Sequence, residues 1–215
     1  LVSQMYSKGE GVRQDFAQSI QWCEKAANAG DLDAQLYMAE LYDKGEVLDV
    51  NLQKSVEWYR MVADKGNAKA LFRLGKMYFD GRGVQQDYAK AFSLYVKSAE
   101  NGYIPAMESL AICYINGRGC TRDESLAEKY LSLAVEHGSD NSVDLLAGLY
   151  MNSNSSVRSP EKALNLLEKE VALGHSQSML ILSRLYLSGG EVPKNVEKGL
   201  KLLEQVVAEG NREAL

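Results

Sequence analysis

The chain has little proline, cysteine and histidine. Only three of its 215 residues are proline and 46% are apolar, which indicates a folded chain with a core and argues against disorder. His137 and His175 come without an HExxH motif and are expected at surface turns. The three cysteines have no recurring spacing, which predicts buried thiols and neither a disulfide framework nor a zinc site; they are Cys23, Cys113 and Cys120.

Long apolar runs and clustered positive charge are also missing. No stretch approaches the roughly 18 to 20 apolar residues that a membrane-spanning helix needs, so no membrane insertion is predicted. The formal net charge of −5 argues against a nucleic-acid partner, because binding a polyanion usually requires a clustered excess of Lys and Arg.

Catalytic motifs are absent from the sequence as well. It contains no GxSxG elbow and no P-loop. Gly9–Gly11 and Gly81–Gly83 have a Gly-x-Gly pattern, but each follows a predicted helix and not a strand, so a dinucleotide site is not expected. We therefore predict no catalytic residues, no metal and no cofactor.

What the sequence does contain is a strict repeat of 36 residues. A fixed period of this size is typical of stacked supersecondary units, each of which needs a neighbour to bury its apolar face. Aligned at that offset, six tyrosines share one column: Tyr6, Tyr42, Tyr78, Tyr114, Tyr150 and Tyr186. Six glycines share another, without insertion or deletion: Gly30, Gly66, Gly102, Gly138, Gly174 and Gly210.

Each repeat is predicted to be two helices joined by a turn. In the third copy, residues 68–103, Ala70, Leu74 and Tyr78 recur at helical spacing and define helix A, which ends at the glycines of 80–83. Helix B begins at a column whose side chains all carry an oxygen able to cap free backbone N–H groups, and it ends at the column glycine. The cap column is Asp15, Asn51, Asp87, Asp123, Ser159 and Asn195.

Columns of small residues predict close packing of helix A against helix B. The column on helix A is Ser3, Ala39, Gly75, Ala111, Ala147 and Ser183, and that on helix B is Ser19, Ser55, Ala91, Ala127, Ala163 and Gly199. The tyrosines and a second bulky column are expected to fill the interface; that column is Trp22, Trp58, Leu94, Tyr130, Leu166 and Leu202.

The third copy resembles the Sel-one-like repeat, a relative of the tetratricopeptide repeat. The resemblance rests on Ala70-x3-Leu74-Gly75-x2-Tyr78-x2-Gly81-x-Gly83-Val84-x2-Asp87-x2-Lys90-Ala91-x10-Gly102. It implies an all-α fold, a right-handed α/α superhelical solenoid with helices A on its concave side, that serves as an adaptor. The repeats are expected at about 1–31 (partial), 32–67, 68–103, 104–139, 140–175 and 176–211, with a further repeat beginning at 212–215.

Two copies depart from the turn pattern. In the fifth, the glycine pair is replaced within Asn152–Ser156, so this turn is expected to be the most mobile. The second has Glu46 and Val47 beside a single Gly45. Neither change alters the period.

Both ends of the chain fall within a predicted helix A. Leu1 enters partway along one, and Ala214 and Leu215 begin another. Because terminal repeats normally carry polar capping faces, we expect the chain to be part of a longer protein. Whether a leader sequence has been removed stays open. The sequence therefore does not decide between the cytoplasm and a periplasmic or secreted location.

If helices A line a groove, their projecting residues become apolar toward the later copies. With charged residues at the rim, including Glu108, this stripe would suit an amphipathic helix or an extended peptide of a protein partner. The predicted groove residues are Phe72, Lys76, Phe79, Ile112, Ile115, Met151, Leu180, Arg184 and Leu187, and Asp144 and Gly148 fall at equivalent positions. The alternative is that these side chains pack between successive helices A.

The leading functional prediction is a non-catalytic protein–protein interaction module, an adaptor, scaffold or inhibitor. One version is an immunity or regulatory protein that occludes a secreted partner. The alternative of a different class is a β-lactam-binding or hydrolysing enzyme, because cysteine-rich relatives of the family have been associated with that activity. Those relatives join helix A to helix B through cysteines, and this chain has Ala27, Ala63, Ala99, Val135, Val171 and Val207 at the helix B position.

Overall fold

The computed structural model describes residues 2–45, 47–190, 192–208 and 210. Within these ranges it contains twelve α-helices and no strand, which confirms the predicted all-α fold. The helices are α1 (Val2–Lys8), α2 (Phe16–Asn28), α3 (Leu32–Lys44), α4 (Leu52–Ala63), α5 (Ala68–Asp80), α6 (Tyr88–Glu100), α7 (Ile104–Asn116), α8 (Glu124–Glu136), α9 (Asp140–Met151), α10 (Pro160–Ala172), α11 (Ser176–Ser188) and α12 (Val196–Ala208). Odd-numbered helices are helices A and even-numbered helices are helices B.

Several sequence predictions lie outside the described residues. They are the entry of Leu1 into the first helix A, the departure at Glu46, and the further repeat at 212–215 with Ala214 and Leu215.

All six helices B begin at the predicted cap residue. Each cap side chain accepts a hydrogen bond from the backbone N–H three residues ahead, at 2.9–3.3 Å. The N–H of each cap residue also donates to the carbonyl of the column tyrosine nine residues earlier, at 2.9–3.0 Å. The tyrosine column and the cap column therefore close one turn, and this closure recurs in every copy.

The fifth turn closes without a left-handed residue. Asn152 has φ −69° and ψ 118°, and every described residue with a positive φ is a glycine. The backbone N–H and the hydroxyl of Ser156 both donate to the carboxylate of Glu124 at the start of α8, and the guanidinium of Arg122 pairs with that carboxylate. These contacts anchor the turn and argue against its predicted mobility.

The small-residue columns bring helices A and B close together, as predicted. The hydroxyl of Ser55 donates to the carbonyl of Ala39 at 2.9 Å, and a Cβ at Gly75 would lie 2.8 Å from the ring of Tyr95. Most members of both columns are buried. A larger side chain at Gly75 would therefore force the helices apart.

The bulky column is predicted correctly at Leu202, which is buried, and wrongly in the other five copies. Trp22 is 39% exposed and Trp58, Leu94, Tyr130 and Leu166 are half-buried. In α2, α4, α6, α8 and α10 the buried bulk comes from the next residue along the helix: Cys23, Tyr59, Tyr95, Leu131 and Leu167 are at most 5% exposed. One residue rotates a side chain by about 100° around a helix, so adjacent apolar columns compete for the same interface.

In three copies the column tyrosine links helix A to the helix B before it. The hydroxyl of Tyr150 donates to Glu128 of α8 at 2.7 Å, and that of Tyr186 donates to Glu168 of α10 at 2.8 Å. Arg60 of α4 donates to the hydroxyl of Tyr78 at 3.2 Å. Tyr78, Tyr150 and Tyr186 are buried, whereas Tyr6, Tyr42 and Tyr114 are half-buried.

The chain forms two compact units. Unit 1 comprises the residues up to Ala106 together with Arg118–Cys120. Unit 2 comprises Met107–Gly117 and the residues from Thr121 onward. Each is held by helix-on-helix packing, and none of the described helices is long and apolar enough to cross a membrane.

Candidate partner-binding surface

Unit 1 contains three of the predicted groove residues, and two of them make extensive internal contacts. The ring of Phe72 lies 5.7 Å from that of Tyr95, centroid to centroid, and the ring of Phe79 lies 5.0 Å from that of Tyr88. Both phenylalanines are half-buried, whereas Lys76 is exposed. Phe72 and Phe79 therefore stabilise helix A against helix B of the same repeat. Partner binding by these residues and their packing between successive helices A both stay predictions.

Two carboxylates on helix A α3 of unit 1 form ion pairs. Lys69 lies 2.6 Å from Glu40, and Arg82 lies 3.0 Å from Asp43. The buried ring of Tyr59 is close to both carboxylates, and burial together with these negative charges raises the pKa of its hydroxyl. Each of these two carboxylates therefore has a cationic partner from the following repeat.

The predicted groove residues of unit 2 divide into exposed and packed side chains. Ile112 is 38% exposed and Arg184 is exposed. The other four residues are half-buried. Ile115 and Met151 pack beside a core cluster that includes Leu131 and Tyr150. Leu180 packs beside a second cluster, which includes Met179 and Leu182, and Leu187 lies against Gly199.

Gly148 leaves an open position on this surface. It occupies the same repeat position as Ile112 and Arg184, in the interior of α9. It is exposed, and apart from the adjoining backbone of α9 no described atom would lie within 4 Å of a Cβ built there. The open position could have been suspected from the sequence, because a glycine inside a helix weakens the helix and therefore calls for an explanation. Packing against a neighbouring helix does not supply that explanation here.

Three carboxylates lie on the helices A of unit 2 and differ in their partners. Glu108 accepts hydrogen bonds from the hydroxyls of Ser139 at 2.6 Å and Ser142 at 3.0 Å. Asp140 is largely exposed. Asp144 accepts one long hydrogen bond, 3.3 Å, from the amide of Gln177, and its second oxygen is buried without a hydrogen-bond partner in the described chain. Desolvation raises the pKa of Asp144, and the negative charge of Asp140 adds to this effect.

His175 is less isolated than the sequence analysis predicts. It lies at the turn before α11, but its Nδ1 is 2.8 Å from the buried carboxylate of Glu170 and 3.5 Å from Asp140. His137 is exposed at the end of α8, as predicted. Across the ranges that the structure covers, no group of three His, Cys, Asp or Glu side chains is arranged to hold a metal ion.

Comparison with known families decides what kind of chain this is. The Sel1 repeat model matches residues 1–31, 32–67, 68–103, 104–139, 145–175 and 176–211. The chain belongs to the Sel1 repeat family. Sel1 repeats indicate a protein-interaction module, and Sel1 repeat proteins are generally non-catalytic scaffolds.

Solved structures of other proteins share the fold. A Sel1 repeat protein from Oxalobacter formigenes is 29% identical with a TM-score of 0.77 over 99% of this chain, which spans 62% of that protein's chain. A putative Sel1 repeat protein from Klebsiella pneumoniae is 24% identical with a TM-score of 0.54, over 91% of this chain and 95% of its own. An immunity protein from Pseudomonas aeruginosa is 19% identical with a TM-score of 0.56, over 100% and 81%. No curated protein matches the chain.

These likenesses establish the fold as an all-α Sel1 solenoid. The sources are bacteria, which indicates a bacterial origin. The three cysteines of this Sel1 chain are thiols: Cys23 and Cys113 are buried and Cys120 is half-buried. The cysteine pairs on which the β-lactam alternative depends are therefore missing.

Proposed function

We propose that this Sel1 repeat chain is an adaptor, scaffold or inhibitor that binds a protein partner on the exposed side of its helices A. The observation that supports this most is in unit 2, where the exposed Ile112 and the open position at Gly148 occupy equivalent sites on α7 and α9. An exposed aliphatic side chain offers a partner an apolar contact, and an open position on the same set of helices can accept a partner side chain. In unit 1, Lys76 is the exposed member of the predicted set.

The test fills the open position without disturbing the fold. Gly148→Met adds a bulky side chain where no described atom stands within 4 Å of the new Cβ, and it replaces a poor helix former. The control is Asn165→Met, which adds the same side chain to an exposed, uncharged position on helix B α10.

The experiment is capture of proteins from the native cells, followed by titration of the captured protein against each variant. We expect wild type and Asn165→Met to bind it equally and Gly148→Met to bind it at least about tenfold more weakly, with neither variant melting below wild type. Equal binding by Gly148→Met would contradict a binding surface on helices A of unit 2.

An immunity protein is the second candidate. It is favoured by the likeness to the Pseudomonas aeruginosa immunity protein, which extends over the whole of this chain. On this reading the captured protein is a toxic effector, and the chain neutralises it by covering its active surface. Co-expression with that partner should restore growth to cells that the partner alone arrests, and a partner without toxicity would support the adaptor function instead.

A further inference from the structure

Asp144 is an incompletely satisfied carboxylate on the proposed binding surface. An ionised carboxylate offers about four acceptor sites, and Asp144 receives a single hydrogen bond, at 3.3 Å, from Gln177. Its other oxygen is buried without a partner in the part of the chain that the structure describes. A partly buried carboxylate in this state is destabilised relative to water, which is why its pKa is raised.

The neighbouring acidic groups differ from Asp144 in having hydrogen-bond donors or greater exposure to water. Glu108 receives two hydroxyl donors, and Asp140 is 72% exposed. In unit 1, Glu40 and Asp43 each have a cationic partner from the following repeat. Asp144 is therefore the carboxylate on helices A whose environment gains most from an added cation.

Open space for a cation, and for the side chains next to it in a ligand, lies beside Asp144. Gly148 is one helical turn further along the same face of α9, and the position is open. Met151, half-buried, follows on α9, and Ile112, exposed, stands at the equivalent position on α7. The surface thus combines one carboxylate with aliphatic and thioether side chains.

The charges around Asp144 favour a basic ligand. Helices α7, α9 and α11 carry Glu108, Asp140 and Asp144 against Arg184 alone, and His175 at the start of α11 lies between Asp140 and Glu170. Asp140, one turn from Asp144, adds further negative charge on the same face. An anionic segment would be repelled, and a neutral donor could hydrogen-bond the Asp144 carboxylate but would not neutralise its charge.

We propose that Asp144 receives a lysine or arginine side chain from a basic amphipathic peptide segment of the protein partner, whose apolar residues lie along Ile112 and Met151. The Asp χ2 torsion is soft, so the carboxylate can turn to meet the cation at its accessible edge. This inference rests on the proposed function, because it assigns the chemistry of the partner at the same surface.

The test is a selection of random 12-residue peptides displayed on phage against the wild-type chain. Selected peptides are expected to share a Lys or Arg flanked by apolar residues. In fluorescence titrations of a synthetic selected peptide, Asp144→Asn should weaken binding by about 30-fold, the size expected for removing one partner of a desolvated charge pair. Glu136→Gln removes a carboxylate from the exposed end of helix B α8 and should leave binding unchanged.

A double-substitution cycle separates a direct pair from a general charge effect. The basic residue of the peptide is replaced by citrulline, and both peptides are titrated against wild type and Asp144→Asn. Each single change should weaken binding, and the two together should weaken it no more than either alone. Asp144→Asn is expected to melt no lower than wild type, because the charge at this position opposes folding.

Selection of no peptide, selection of peptides without a basic residue, or additive effects in the cycle would overturn the inference. Binding measurements with Gly148→Met distinguish failure of this inference from failure of the proposed function. Selected peptides that lack a basic residue but are lost with Gly148→Met would leave the binding surface standing and refute the role of Asp144. Peptides whose binding is unaffected by Gly148→Met would count against both.

Discussion

Two glycines with almost the same backbone angle differ in what surrounds them, and this difference gives a quantitative test of how repeats pack. Gly102 follows helix B α6 with φ +78°, and no described atom would lie within 4 Å of a Cβ there. Gly119 is the second glycine of the fourth turn, with φ +77°. A Cβ at Gly119 would lie 2.1 Å from the backbone carbonyl oxygen of Tyr88, in the preceding repeat.

The expected costs follow from these two environments. Gly102→Ala places an alanine in the left-handed region and nothing more, which costs about 1 to 2 kcal/mol. Gly119→Ala carries the same strain and also displaces backbone atoms of the preceding repeat, which adds about 1 to 3 kcal/mol. Gly119→Ala should therefore be the more destabilising by more than about 1 kcal/mol.

Equilibrium urea unfolding followed by circular dichroism measures both variants against wild type. The two should keep similar m-values, because both unfold the same surface, and should differ in their midpoints. Destabilisation of equal size in Gly102→Ala and Gly119→Ala would refute the close approach of the turn to the preceding helix B.

Three further outcomes follow from named contacts. Arg122 and Ser156 lower the pKa of Glu124 to about 2, so the contribution of this carboxylate to stability is complete above about pH 4.5 and is lost as the pH falls toward 2. In urea unfolding, the difference in unfolding free energy between wild type and Glu124→Gln should shrink over that pH range. A difference that does not change with pH would contradict this prediction. Asp87→Ala removes the cap bond to the N–H of Lys90 at 2.9 Å and should lower the unfolding free energy by about 1 kcal/mol, whereas Gln85→Ala, outside the helix, should not. Gly148→Ala should raise the unfolding free energy by about 1 kcal/mol in the same assay, and a loss of stability would show that the position is not open.

The repeat period made the helices and their boundaries predictable. Asp15 and its five equivalents cap helix B because a side-chain oxygen at that place can bond the free N–H groups whatever surrounds it. The period also aligned the tyrosines, whose carbonyls all accept from the cap residue. Local chemistry of this kind is readable from one sequence, because it depends on residues within one turn.

Contacts between distant residues could not be read in the same way. Trp22 and Cys23 are both apolar, and only the packed helices show that Cys23 is the one buried. Glu124 looks like an ordinary first-turn carboxylate until Ser156, 32 residues later, is found against it. The open space at Gly148 and the buried oxygen of Asp144 depend on what neighbouring repeats leave unfilled, which no spacing encodes.

Oxidative footprinting of the chain with its captured partner tests the location of the binding surface most directly. Met151 lies on helix A α9 beside Gly148, and Met61, 49% exposed, lies on helix B α4. We expect the bound partner to reduce the oxidation of Ile112 and Met151 and to leave that of Met61 unchanged. Protection of Met61 with Ile112 and Met151 unprotected would contradict binding on the helix A side.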